Sequence, residues 1–257
     1  MKIKQLVKSM ALTAGLAASF TASADFVDFT VDEGFAAANG SAVTADKING
    51  GYVERITFDG NGNFEADAFA TFGQFFLGSN SLNTGLNNTY SLYATFDAAG
   101  TAGSEGNVEY FSGNSGSFQL YLDTNNDTML SDDQDVNSIV GNGEDILLGS
   151  SSALGQNLGT SSTVQGQTVT AFDFNFLDFD LTDDGDQYFI SPMPFSVTVK
   201  VNGDFDSFEQ TGTQITRGDV SAQFENAGGV TDVPEPSTIA IMALGLLGLG
   251  AARRRKA

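Results

Sequence analysis

The chain contains no cysteine, no histidine and no tryptophan. Without cysteine it forms no disulfide, offers no thiol nucleophile and builds no thiolate metal site. Without histidine it lacks the usual general base near neutral pH and the commonest transition-metal ligand. Serine nucleophiles therefore have no imidazole partner, and the sequence holds no G-x-S-x-G turn, phosphate loop or dinucleotide fingerprint. Cations are scarce too. Between Asp25 and Asp232 only Lys47, Arg55, Lys200 and Arg217 are basic, against 31 acids, a net charge of −27 where the whole chain carries −21. Such a body repels nucleic acid and anionic lipid and attracts divalent cations. Phenylalanine, by contrast, is abundant at 22 residues. An acidic chain this rich in aromatics, with roughly 200 residues between its ends, buries enough surface to fold rather than stay disordered.

Strand periodicity dominates that body. Tyr90, Leu92, Ala94 and Phe96 alternate with polar residues, as do Phe118, Leu120 and Leu122. Phe195, Val197, Val199 and Val201 repeat the pattern, followed by Val220, Ala222 and Phe224. From Gln167 to Leu181 the apolar parity switches between Phe176 and Leu177, which predicts a β-bulge or break there. Gly60 to Gly62, Gly113 to Gly116, Thr124 to Asn126 and Thr182 to Gly185 read as turns, and Gly149 to Thr163 as a long exposed loop. Ala66 to Leu77 suits a short helix or a strand. Many short strands with glycine-rich turns predict an all-β body, an antiparallel β-sandwich or jelly roll, as one domain over residues 25–228.

The two ends read differently. Lys2, Lys4 and Lys8, an apolar stretch from Met10 to Phe20 and the small-residue site Ala22-Ser23-Ala24 form a signal peptide over 1–24, with Asp25 as the new N-terminus after signal peptidase. After a spacer at 229–232, residues 233–257 hold Pro234-Glu235-Pro236-Ser237, an uncharged run over 237–252 and the basic tail 253–257 with Arg253, Arg254, Arg255 and Lys256. The run is short for a bilayer, but arginine and lysine stems lengthen the span, and the basic flank stays cytoplasmic. The two prolines hold Glu235 in extended backbone, presented outside the membrane.

This tail resembles the PEP-CTERM sorting signal of bacterial exported proteins. The resemblance implies passage through the secretion machinery, transient inner-membrane insertion by the helix, processing by an exosortase, and delivery to the cell surface or extracellular matrix. The body resembles the flocculation-associated PEP-CTERM proteins, through Ser117-Phe-Gln-Leu-Tyr-Leu-Asp123 with its Asn/Asp run and through the Phe-rich strand from Phe172 to Asp180. That likeness implies a matrix protein that acts with exopolysaccharide, and it carries over no catalytic residue.

One segment invites metal chemistry. Asp123, Asn125 and Asp127 place three oxygen side chains on one tight loop, as hard Ca²⁺ requires, and the Met129 carbonyl stands at the seventh position. Thr128 and Gln134 replace the glycine and glutamate of an EF-hand, so Asp133 or Asp135 is left to complete the shell. A solvated acidic turn is the competing reading. Asp180-Thr182-Asp184-Asp186 and Asp59-Asn61-Asn63-Glu65 show the same alternation and read more simply as Asx turns. Tyr93, Tyr110 and Tyr121 are expected at the sheet surface, where they either stack on sugars or simply face solvent.

The expected function is that of an exported, non-enzymatic matrix protein supporting flocculation or biofilm formation with exopolysaccharide, with Ca²⁺ as bridge and no nucleic-acid partner. A carbohydrate-active hydrolase using paired carboxylates and an inert glycan-carrying surface protein are the alternatives.

Overall fold

Alternating apolar residues become strands wherever the register lets one face turn inward. The computed structural model describes residues 27–106, 108–164, 167–193, 195, 197–204 and 210–226, all within one unit, Asp25–Ala227. The expected signal peptide, spacer and sorting segment, including Ala22, Ala24, Asp25 and the helix at 237–252, lie outside the described residues. The strands are β1 (Phe29–Asp32), β2 (Ala42–Ala45), β3 (Lys47–Phe58), β4 (Asn63–Leu77), β5 (Asn80–Ser81), β6 (Ser91–Glu105), β7 (Val108–Asp123) and β8 (Met129–Leu130). They continue with β9 (Ile139–Val140), β10 (Ile146–Ser151), β11 (Ala153–Val164), β12 (Gln167–Leu181), β13 (Phe189–Ser191), β14 (Val197–Gly203) and β15 (Thr213–Asn226). Two single helical turns, α1 (Glu33–Ala36) and α2 (Gly185–Tyr188), accompany them. Among the described residues no helix is long and apolar enough to cross a membrane.

The all-β, antiparallel expectation holds, and the sheet goes one step further by closing on itself. Strands β7, β6, β4, β3, β15, β14, β12 and β11 pair in that order, and β11 pairs back to β7. The opposite walls pack face to face as in a sandwich, yet they belong to one continuous sheet. Closure removes free edges, which a long Phe-rich strand would otherwise expose to other chains. Strand β10 bridges β7 and β12 at one end.

Phenylalanine fills the interior. Phe118, Phe176, Phe179 and Phe224 are almost fully buried. Their rings meet tilted or edge-on: Phe118–Phe176 at 5.2 Å, Phe29–Phe224 at 4.8 Å and 83°. Such geometries suit the ring quadrupole better than a flat sandwich. The small sheet β13-β1-β2 brings Phe29, Val31 and Phe189 onto the same core and closes that end. Glu33 is buried with them. Its Oε1 accepts from Tyr90 Oη at 2.8 Å and from Gly85 N at 2.8 Å, while Tyr90 and Tyr188 hydroxyls meet at 3.1 Å. Burial drives both phenols well above their ordinary pKa, so they stay neutral.

The parity switch in β12 is a bulge, as the sequence predicts. Phe176 pairs with Val199 and Phe179 with Val197, so one extra residue is accommodated between them. Asp178 takes φ of 52° and Leu177 turns outward, leaving Phe176 and Phe179 both inside. Ala66 to Leu77 is strand β4 and not a helix.

Two turn expectations are corrected. Gly113 to Gly116 lies inside β7, where Gly100 faces Gly113 and Ala99 faces Ser115, so Asn114 is a bulged residue within a continuous strand. A side chain on Gly100 would sit 2.0 Å from the Ser112 carbonyl, which explains the glycine. Gly149 to Thr163 is no loop but most of β10 and β11. Its serines, glycines and asparagine are small enough to face a crowded interior: Ser151, Asn157 and Ser161 are buried, and the Phe179 ring lies against Gly149.

Candidate functional site

Between β7 and β10 the chain makes an excursion, residues 124–145, carrying the short hairpin β8–β9. Asp123 starts it and organises it. The carboxylate is fully buried, and its Oδ1 accepts from Asn125 N at 3.1 Å and Asn126 N at 2.6 Å. Its Oδ2 accepts from Thr128 N at 2.9 Å and Ser91 Oγ at 2.9 Å. Asn126 occupies the left-handed region, φ 59°, a conformation asparagine tolerates. The D-x-N-x-D spacing thus makes a tight turn by side-chain-to-backbone bonding.

Past this turn, Asp127 comes back beside Asp123, and Glu144 joins them from the far end of the excursion. One carboxylate oxygen from each lies within 4.8 Å of the other two. The Asn125 amide donates to Glu144. Gly141 takes φ of 85°, with Asp127 Oδ1 only 2.7 Å from where a Cβ would stand, so glycine lets the two limbs approach. Asp145 lies alongside, its Oδ2 accepting from Thr128 Oγ1 at 2.7 Å while its buried Oδ1 has no partner among the described residues.

The other residues of the sequence-derived set go elsewhere. Met129 is exposed in β8. Asp133 pairs with Arg217 at 3.2 Å. The Asp135 Oδ1 accepts from Asn137 N at 3.0 Å, closing the tip of the excursion. Glu144 is the residue that sequence reasoning missed. It stands 17 positions after Asp127, beyond any loop-motif spacing, and the only local cue is its place after Gly141-Asn-Gly143 and before apolar Ile146.

Chemically, three convergent carboxylates in a body of net charge −27 suit a hard cation. Two bidentate carboxylates and one monodentate, plus water, would satisfy the six to eight oxygens of Ca²⁺.

The two weaker acidic turns organise backbone. Asp59 accepts from Asn61 N, Asn63 N and the Asn63 amide, and these bonds hold its pKa down to about 2. Thr182 Oγ1 accepts from Gly185 N at the start of α2. The surface expectation for the tyrosines is corrected for Tyr93. It is buried on the outer wall between Phe69 and Tyr121, stacked on the latter at 4.9 Å and 7°. Tyr110 is exposed and Tyr121 half-buried.

The body finds no counterpart: no curated protein and no solved structure matches the chain. The match lies in the tail, where the family model described as the PEP-CTERM protein-sorting motif covers residues 232–256. It spans Pro234, Glu235, Pro236, Ser237, the apolar run and Arg253 to Arg255. The chain thus carries a PEP-CTERM protein-sorting motif, the mark of an exosortase-linked surface protein.

Proposed function

We propose that this protein is a non-enzymatic component of the extracellular matrix that supports flocculation or biofilm formation with exopolysaccharide, and that Ca²⁺ held by Asp123, Asp127 and Glu144 links it to that matrix. Exosortase processing near Glu235 delivers it there, after the signal peptide has taken it through the secretion machinery. The convergence of the three carboxylates carries the calcium reading. Like charges gathered in an already anionic body repel one another, and a divalent cation offsets that repulsion. The ion also ties the two ends of a long excursion together, which limits its opening. Coordination sites left open by the protein accept carboxylate or hydroxyl oxygens from acidic polysaccharide, or from an acidic loop of a second molecule.

Calorimetric titration and thermal melting of the purified protein test the calcium step. At a hundred times the Kd, Ca²⁺ stabilises the fold by about 2.7 kcal/mol. Asp127→Asn with Glu144→Gln removes both the heat and the melting shift. No heat at millimolar Ca²⁺ with an unchanged melting temperature rejects it. Deleting the gene and scoring aggregation of cells tests the matrix role separately, since cells that floc as before leave the protein no such part.

A further inference from the structure

The outer wall of the barrel carries a groove across strands β14, β15, β3 and β4. Its volume is about 460 Å³, within the range of pockets that hold small ligands. Register builds it. Asn202 pairs with Ser221, Ser221 with Asn49 and Asn49 with Gln74, so four polar residues stand in one row on four neighbouring strands. Their chain neighbours Val201, Ala222, Ile48 and Phe75 are buried in the core, so the row has outward parity. Gly73 is the extra residue of a bulge in β4, between the Asn49–Gln74 and Gly50–Phe72 pairs. Bulges of this kind bend a strand and re-aim its side chains. Gly50, Gly73 and Gly203 line the groove and put no side chain into it, and half-buried Phe76 walls it on the β4 side.

Each amide in the row is tied at one end and open at the other. Ser221 Oγ donates to Asn49 Oδ1 at 2.9 Å, and the Asn202 amide donates to Gln223 Oε1 at 3.3 Å. The Gln74 amide donates to the Leu82 carbonyl at 2.5 Å and the Phe75 carbonyl at 3.1 Å. These bonds position the side chains. They leave the Asn49 amide nitrogen and the Asn202 and Gln74 amide oxygens without a partner among the described residues. Read across the strands, the row offers an acceptor, a hydroxyl, a donor and an acceptor. A hydroxyl both donates and accepts, so a polyol satisfies such a row, whereas an ammonium or a carboxylate satisfies only part of it. Of the lining residues Asp219 alone is charged, and a body of net charge −27 turns polyanions away. Strands about 4.8 Å apart set the pitch of the row, which is close to the length of one sugar ring along a glycan chain, and carry it over about 14 Å from Asn202 to Gln74.

We propose that this groove binds a neutral polysaccharide, laid across the strands so that hydroxyls of successive sugars bond to Asn202, Ser221, Asn49 and Gln74. Phe76 gives the apolar side of a sugar ring a surface to rest on, and exposed Asp219 accepts from further hydroxyls. The proposal rests on the matrix reading only for the kind of chain that surrounds the protein. It needs no calcium, and the groove shares no residue with Asp123, Asp127 and Glu144.

Affinity electrophoresis tests it, with the purified protein run through native gels that contain dextran, mannan or galactan, and a chelator throughout. At least one of these neutral chains retards the protein. Asn49→Ala with Gln74→Ala and Asn202→Ala weakens that retention about tenfold or more, as several hydrogen bonds lost together require. Where the triple variant does not fold, Asn202→Ala alone, which gives up only the bond to Gln223, makes the same comparison with a smaller loss. Free migration through all the gels, or retention that the variants keep in full, overturns the proposal. The calcium reading stands or falls separately, on heat and melting without any polysaccharide present.

Discussion

Glu54 lies half-buried on β3, on the inward face shared by buried Tyr52 and Ile56, and replacing it with glutamine removes one charge and preserves shape. The consequence for stability depends on pH, and its sign follows from the raised pKa. In the unfolded chain Glu54 titrates near 4.5, and in the fold near 7. Below the lower value both states hold the proton and the wild type suffers no penalty. Between the two values the unfolded state has released its proton while the folded state still binds one, so stability falls as pH rises. Above the folded value the loss is complete. A separation of about 2.5 units at 1.36 kcal/mol each comes to about 3 kcal/mol. Asp67 is the charge that acts on Glu54, and it is itself paired with Arg55 at 2.5 Å. The assay is a pair of thermal melts, wild type and Glu54→Gln, at pH 4 and pH 8.5 in equal salt. The other acids raise the repulsion in both proteins alike, so the difference between the two isolates Glu54. At pH 4 the melting temperatures agree closely. At pH 8.5 the variant is more stable by about 3 kcal/mol, roughly 6–12 °C for a unit of this size. A difference that does not change with pH, or a variant less stable at pH 8.5, refutes the argument that desolvation raises the pKa of this carboxyl in the fold.

Other perturbations probe other parts of the molecule. Phe176→Ala deletes a fully buried ring that touches Phe96 and Phe118, and denaturant unfolding should show a loss of about 3–5 kcal/mol. Gly100→Val drives a Cβ into the Ser112 carbonyl at the β6–β7 bulge, so the yield of soluble folded protein collapses, whereas Gly143→Ala, with open space around it, leaves the melt unchanged. Tyr90→Phe takes a donor from buried Glu33 and costs about 1–3 kcal/mol in chemical denaturation. Arg217→Ala breaks a half-exposed pair with Asp133 and changes global stability by less than about 1 kcal/mol, but it speeds amide exchange in residues 131–138.

What the sequence reveals about this fold depends on whether a residue's neighbours in space are also its neighbours in the chain. The β12 bulge is legible because parity is a local property: Phe172, Phe174 and Phe176 must share a face, and Phe179 can rejoin them only if one residue is absorbed. The Asp123 turn is legible for the same reason, since Asn125, Asn126 and Thr128 donate to it within five positions. Strands β10 and β11 are not legible, because Ser, Gly, Thr and Asn favour turns in isolation and are selected here for smallness against Phe179 and Phe111 on the strands paired with them. Closure of the sheet depends on β11 returning to β7, a pairing of Leu158 with Ser112 that no local pattern announces. Glu144 reaches the acidic cluster only because the excursion folds back, and its spacing from Asp127 matches no loop motif. Glu54 shows the limit most sharply. In Tyr52-Val-Glu-Arg-Ile56 a glutamate beside an arginine reads as solvated surface, and Val53 looks like the inward residue. Register decides otherwise, because Tyr52, Ile56 and Phe58 are all buried and Glu54 must share their face. A charge placed where the pattern demands an apolar side chain breaks local consistency, and such breaks in an otherwise consistent fold concentrate at sites of function.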